Sequence, residues 1–179
     1  RSERCIGERL ELIASGCPLT TDPAIVEPLM MHATQLVSEI RALNASVARY
    51  DKRIRELFAD HPEAALFRSF PGAGEQLAPR LLVAFGTNRE RYGAADEVAA
   101  YSGVAPVVER SGKGEWVHWR WHCPKFVRQS FVEFAAKSIG QCEWAAVHYR
   151  KQLERGKEHN AALRSLAFKW VRIIFRCWQ

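Results

Sequence analysis

Four side chains able to do chemistry fall close together in this sequence: Ser111, His118, His122 and Cys123. Ser111-Gly112-Lys113-Gly114 has the composition of a tight turn, because glycine takes a positive φ at no steric cost. It is not a P-loop, whose phosphate cradle needs the frame GxxxxGK[ST]. The elbow of a serine hydrolase is missing too, and so is the acid–histidine pair that would activate such a serine. On a strand His118 and His122 would share a face, and Cys123 follows directly. Structural zinc takes four placed ligands, however, and no fourth accompanies these three, so no metal site is assigned to the chain. What Ser111 does therefore depends on its surroundings.

Those surroundings suggest a hairpin between helices. Gly103 and Pro106 break the preceding helix, and the apolar run 104–108 reads as extended. Past the turn, Val117, Trp119 and Trp121 alternate with His118, Arg120 and His122, which is strand periodicity. A β-hairpin over 104–122 is expected, with Ser111 and Lys113 at its tip. Upstream, residues 64–86 read as a helix-hairpin-helix around Phe70-Pro71-Gly72-Ala73-Gly74. Its glycines let two helices approach and leave backbone N–H groups outward, a phosphate site indifferent to base sequence. A plain αα-corner without a ligand is the alternative. Pro79 requires the second helix to begin late, near Gln76 or Leu77. Asp96 and Tyr101 bracket a short helix, with Ser102 at its C-terminal cap position. Three helices are expected over 124–178, stopped in turn by Gly140 and Gly156, with their aromatic residues in the core.

Residues 1–22 read as a linker holding one short apolar helix, ended by Gly16 and Pro18. Thr21 or Asp22 then caps a long helix that opens on Pro23 and closes near Pro62. Over 26–57 the apolar steps alternate three and four without a miss. Val26, Ala33, Ile40, Val47 and Ile54 form one row; Leu29, Leu36, Leu43, Tyr50 and Leu57 form the other. Such a heptad is a coiled-coil seam, and β-branched residues at a with leucine at d favour a parallel pair. A homodimer through Leu29, Leu36, Ile40, Leu43, Val47, Ile54 and Leu57 is the natural inference; an intramolecular partner is the alternative. The fold class is thus mainly α: a coiled-coil helix over 23–61, then a helical domain over 62–179 carrying a helix-hairpin-helix and a small β-hairpin.

The 179 residues, 47% hydrophobic, can bury a real core. Five cysteines without a CxxC pair point to a reduced, intracellular protein, and no stretch has the length and apolarity of a membrane span. Charge is uneven. Residues 124–179 hold eleven Lys and Arg against four Asp and Glu, so the rest of a chain of net charge +6 is close to neutral. A basic end on a near-neutral body suggests a polyanionic partner, and a solvated helix surface is the bland alternative.

Taken together, residues 66–179 resemble the C-terminal domain of the insertion-sequence one-ten/one-sixteen class transposases, relatives of the Piv-type DNA invertases. The resemblance lies in Phe70-Pro71-Gly72-Ala73-Gly74, in the run 99–106 (Ala-Ala-Tyr-Ser-Gly-Val-Ala-Pro), in Arg110-Ser111-Gly112-Lys113, and in the tail 150–174. The heptad segment resembles the coiled coil that precedes that domain. The resemblance implies an N-terminal RuvC-like domain with a DEDD carboxylate set, expected before Arg1 and absent from this sequence, that would bind Mg²⁺. It also implies a serine that attacks a DNA phosphodiester, which falls on Ser111, and a structured guide RNA that selects the DNA. A serine hydroxyl needs activation, and the pentavalent transition state needs positive charge, which Arg110 and Lys113 could supply. Gly72, Gly74, Arg120, Lys125 and Arg128 complete the expected nucleic-acid contacts. The expectation is the C-terminal part of a cytoplasmic, nucleoid-associated bacterial transposase that alone binds DNA and RNA but neither cuts nor joins. The rival is a non-catalytic dimeric nucleic-acid-binding module in which Ser111 is only a turn residue. A protein-only scaffold would show no salt-dependent affinity.

Overall fold

A computed structural model describes residues 3–112, 114–118 and 120–179, and the backbone alone at 3 and 4. Lys113 and Trp119, both part of the hairpin expectation, lie outside the described residues. The chain forms two compact units, 1–49 and 50–179.

The first unit holds helix α1 (Glu3–Ala14) and most of α2 (Pro23–Ala59). Asp22 caps α2: its Oδ1 accepts the Ala24 N–H at 2.9 Å, and Pro23 takes the first position, where its missing N–H removes no intrahelical bond. At about 1.5 Å per residue the helix is roughly 55 Å long. Leu29, Leu36, Ile40, Leu43, Val47, Ile54 and Leu57 are all exposed, so the heptad row stands uncovered along its length. No helix among the described residues is long and apolar enough to cross a membrane.

The second unit begins within α2, earlier than position 62, because Phe58 is buried there under the Arg68 guanidinium, 5.2 Å from its ring. It continues through α3 (Ala64–Arg68), α4 (Gly74–Phe85), α5 (Ala95–Tyr101), strands β1 (Val107–Ser111) and β2 (Gly114–His118), then α6 (Lys125–Ile139), α7 (Glu143–Glu154) and α8 (His159–Trp178). Helix α8 packs against α5, α6 and α7, and α4 packs against α6. Phe85 joins the layers, with ring centroids 5.9 Å from Phe67, 6.0 Å from Phe131 and 5.5 Å from Trp178. Two buried indoles have partners for their N–H groups: Trp178 donates to the Gly86 carbonyl at 2.9 Å, and Trp170 to Ser138 Oγ at 2.8 Å. Phe131, Phe134, Trp170 and Trp178 are core as expected, whereas Phe126 and Trp144 remain exposed. All five cysteines are free thiols.

Two expectations change. Helix α4 starts at Gly74, so Pro79 lies inside it. The preceding turn is widened: the Ala78 N–H reaches back five residues to the Ala73 carbonyl at 3.2 Å, which eases the ring past the turn below. The second strand, expected to run to 122, ends at His118. Its partner β1 has five residues, and Val107 opposite His118 is the last pair of the ladder. Residues 121–123 then bend, tied back where Arg128 Nη1 donates to the Arg120 carbonyl at 3.3 Å.

Candidate nucleic-acid interface

Ser111 closes β1, paired with Gly114, and Gly112 has a positive φ of 58°, which glycine takes at no steric cost. Both strands are largely exposed, and Ser111 is reachable from solvent. Side chains alternate between the faces of a hairpin, and the register sorts them. Glu109, Ser111, Trp116 and His118 share one face; Val108, Arg110, Glu115 and Val117 share the other. On the serine face, His118 Nε2 lies 2.8 Å from Glu109 Oε1 and stacks on Trp116 at a centroid distance of 4.5 Å. Arg110, expected beside Ser111, points to the opposite face, where its Nε donates to Glu115 at 3.0 Å. Both partners are exposed, so the pair adds little stability and a polyanion can displace it.

The glycines of the helix-hairpin-helix serve different ends. Gly72, at φ 88°, packs on the end of α6: a Cβ there would stand 2.8 Å from the Ser138 backbone N. Gly74, at φ 55°, faces open space at the start of α4. Glu75 sits in that first turn and pairs with Arg55 at 3.3 Å, so this helix start already has a negative charge beside it, which opposes an incoming phosphate.

The other expected contacts gather at the opposite end of α6, roughly 20 Å away at helical rise. Lys125 opens α6 without an acidic residue in the first turn, so its charge adds to the positive pole of the helix. One turn on, Arg128 holds the Arg120 carbonyl; its Cδ would lie 3.4 Å from a Cβ on Gly103. Arg120 Nε is buried without a hydrogen-bond partner among the described residues. Two cations missed in the sequence, Lys157 and Arg164, join this group through a cavity at the base of the hairpin. Burial pushes the Arg164 pKa down, and the Arg128 charge adds to the shift. The available signal was the spacing of Ala161, Arg164, Ser165 and Phe168, which share a face of α8.

His148 reports the same field. Its ring stacks on Trp144 at 6.0 Å and its Nε2 meets Ser165 Oγ at 3.2 Å. Burial holds its pKa below the ordinary 6.5, and Lys169, Lys157, Arg155 and Lys151 push it further down. Because the folded pKa is the lower one, the unfolded chain takes the proton first as pH falls. The contribution to stability is present above about pH 6.5 and is lost as pH falls through the folded value. A polyanion bound at this end offsets the four cations, so the His148 pKa is expected to rise on adding an oligonucleotide. Proton NMR of the ring checks this; an unmoved pKa would put the polyanion elsewhere.

Among the described residues, no group of three or more His, Cys, Asp or Glu side chains could hold a metal ion. The arrangement offers an exposed hydroxyl at a hairpin tip and a separate basic surface around the start of α6 and α8.

Residues 64–152, from α3 into α7 and including Ser111, match the family described as the Transposase IS116/IS110/IS902 family. A mini-circle putative transposase for IS117 from Streptomyces coelicolor is 29% identical over 148 residues, covering 81% of this chain and 36% of the relative. An IS900 uncharacterized 42 kDa protein from Mycobacterium paratuberculosis is 28% identical, covering 79% and 36%. An IS110 uncharacterized 43.6 kDa protein from Streptomyces coelicolor is 28% identical, covering 78% and 35%. The chain spans about a third of the length of these relatives.

Proposed function

Because this chain belongs to the IS116/IS110/IS902 transposase family, we propose that it is the nucleic-acid-binding, serine-bearing part of a DNA transposase. The observation that carries the reading is the exposed hydroxyl of Ser111 at the tip of a hairpin within the family-matched segment. In the whole protein the Ser111 Oγ attacks a DNA phosphorus in line. The P–Oγ bond forms as the bond from phosphorus to the leaving sugar oxygen breaks, and the serine proton passes by way of a base to that oxygen, which leaves as a hydroxyl. Lys113, beside it in sequence, and Arg110, once released from Glu115, neutralise the phosphate oxygens. The Mg²⁺ implied for such enzymes would be held by carboxylates of a RuvC-like domain of the whole protein and would supply Lewis acidity at the reacting phosphate. This chain alone is expected to bind nucleic acid and to leave it uncut. Its partners are DNA and a structured guide RNA, and its place is the bacterial cytoplasm at the nucleoid.

The exposed heptad favours a homodimer through α2. Each dimer buries Leu43 twice, and a buried leucine is worth about 1.5–3 kcal/mol. Leu43→Asp is therefore expected to weaken association on the order of 100-fold or more. Sedimentation should show a monomer where the parent chain is a dimer. An unchanged mass would exclude this seam.

Binding of duplex DNA and structured RNA by this chain across salt concentration tests the reading, since counterion release makes genuine phosphate binding fall steeply with salt. Absence of binding to either would overturn it. The pairing of Arg110 with Glu115 away from Ser111 favours a second reading, a non-catalytic dimeric binding module. That reading shares the salt dependence and predicts no effect of Ser111 on recombination.

A further inference from the structure

The cavity at the base of the hairpin has a chemistry that phosphate-backbone binding alone does not use. It measures about 300 Å³ and lies between the loop after α5, strand β2 and the N-terminal half of α8. Its lining is apolar at Val104, Pro106 and Phe168 and cationic at Lys157 and Arg164. None of the residues lining it is an aspartate or glutamate. The Arg128 charge acts on Arg164, and Ser165 in the lining is hydrogen-bonded to His148, whose pKa is held down by burial and by the charges of Lys169, Lys157, Arg155 and Lys151.

We propose that this cavity takes one unpaired nucleotide of a bound strand, its base against Val104, Pro106 and Phe168 and its phosphate at Lys157 and Arg164. The inference rests on the nucleic-acid-binding reading and goes beyond it. A backbone-tracking surface needs charge but no pocket, whereas a mostly apolar pocket that also carries two cations matches a molecule that is flat and apolar at one end and anionic at the other. A volume near 300 Å³ is at the small end of ligand sites and accommodates a single base, not a base pair. Extruded or unpaired bases are read in this way, by contact with apolar and aromatic side chains and by charge on the adjoining phosphate. The shared chemistry is a nucleoside monophosphate unit, from a DNA or an RNA strand.

The test uses this chain with a 12-nucleotide single strand, as DNA and as RNA, and the fully paired DNA duplex of the same sequence. Ala161→Phe fills the cavity and leaves its charges in place. It should weaken both single strands, or the one that supplies the nucleotide, about tenfold and leave duplex affinity unchanged. Lys157→Gln with Arg164→Gln should weaken every strand and flatten the salt dependence. If the Ala161→Phe chain melts early, methyl NMR of Val104 and Val117 in the parent chain decides. Thymidine and uridine monophosphate should shift these signals, and inorganic phosphate should not. Unchanged single-strand affinity with duplex binding intact, or shifts from inorganic phosphate as large as those from the nucleotides, would overturn the nucleotide site alone. Failure of the parent chain to bind any strand would overturn the nucleic-acid reading with it.

Discussion

If the proposed function holds, Ser111→Ala in the full-length protein is expected to abolish strand exchange, on the order of 10⁴-fold or more, while nucleic-acid affinity stays within about twofold. The asymmetry follows from position. Ser111 is exposed and ends a strand, so losing its hydroxyl leaves no cavity and should change stability by no more than about 0.5 kcal/mol. If it forms the bond to phosphorus, no other hydroxyl on its face of the hairpin, among the described residues, replaces it: Glu109 and His118 engage each other, and Trp116 has no nucleophile. Removing a nucleophile costs far more than removing a positioning group. Recombination in cells and filter binding of the purified protein, measured on the same variant, separate the two quantities. Normal recombination by Ser111→Ala would make the serine a turn residue and leave the non-catalytic module standing.

The largest structural effect is expected at Gly72. Its φ of 88° is strained for any L residue, and an added Cβ would lie 2.8 Å from Ser138 N, 2.9 Å from Lys137 C and 3.0 Å from Ser138 Cα. These are backbone atoms of the last turn of α6 and its neighbours in packing, so no side chain can rotate aside and the helix itself must move. Gly72→Ala is expected to cost about 3 kcal/mol or more, lowering the melting temperature by roughly 10 °C. Gly74→Ala is the control. It shares the positive φ, at 55°, but would meet nothing within 4 Å, so its cost should stay near 1 kcal/mol. Equal melting temperatures for the two variants would contradict the packing role of Gly72.

What could be read from the sequence was local. The heptad steps, the Asp22-Pro23 start, Ser102 as the cap of α5 and the turn at Gly112 each follow from a period or a dihedral preference within a few residues, and α2, α5 and the hairpin formed accordingly. What could not be read was set by partners distant in sequence. The face taken by Arg110 depends on the register of β2 against β1, and a shift of one residue would move it to the serine side. Gly72 looked like a phosphate glycine because its neighbours fit a helix-hairpin-helix; its contact with residue 138 is invisible in the sequence around it. The basic group of Arg120, Arg128, Lys157 and Arg164 spans 45 positions, and only the fold brings α6 and α8 to the base of the hairpin. The charge excess of the C-terminal third was legible, and its focus was not.

The most direct measurement on the central claim is a covalent one. Full-length protein is stalled on a DNA substrate, digested with protease and nuclease, and the residual nucleotide–peptide adduct is sequenced by mass spectrometry. A phosphodiester-linked nucleotide is expected on Ser111 and absent from Ser111→Ala. An adduct on any other residue, or active protein that never forms one, would contradict it.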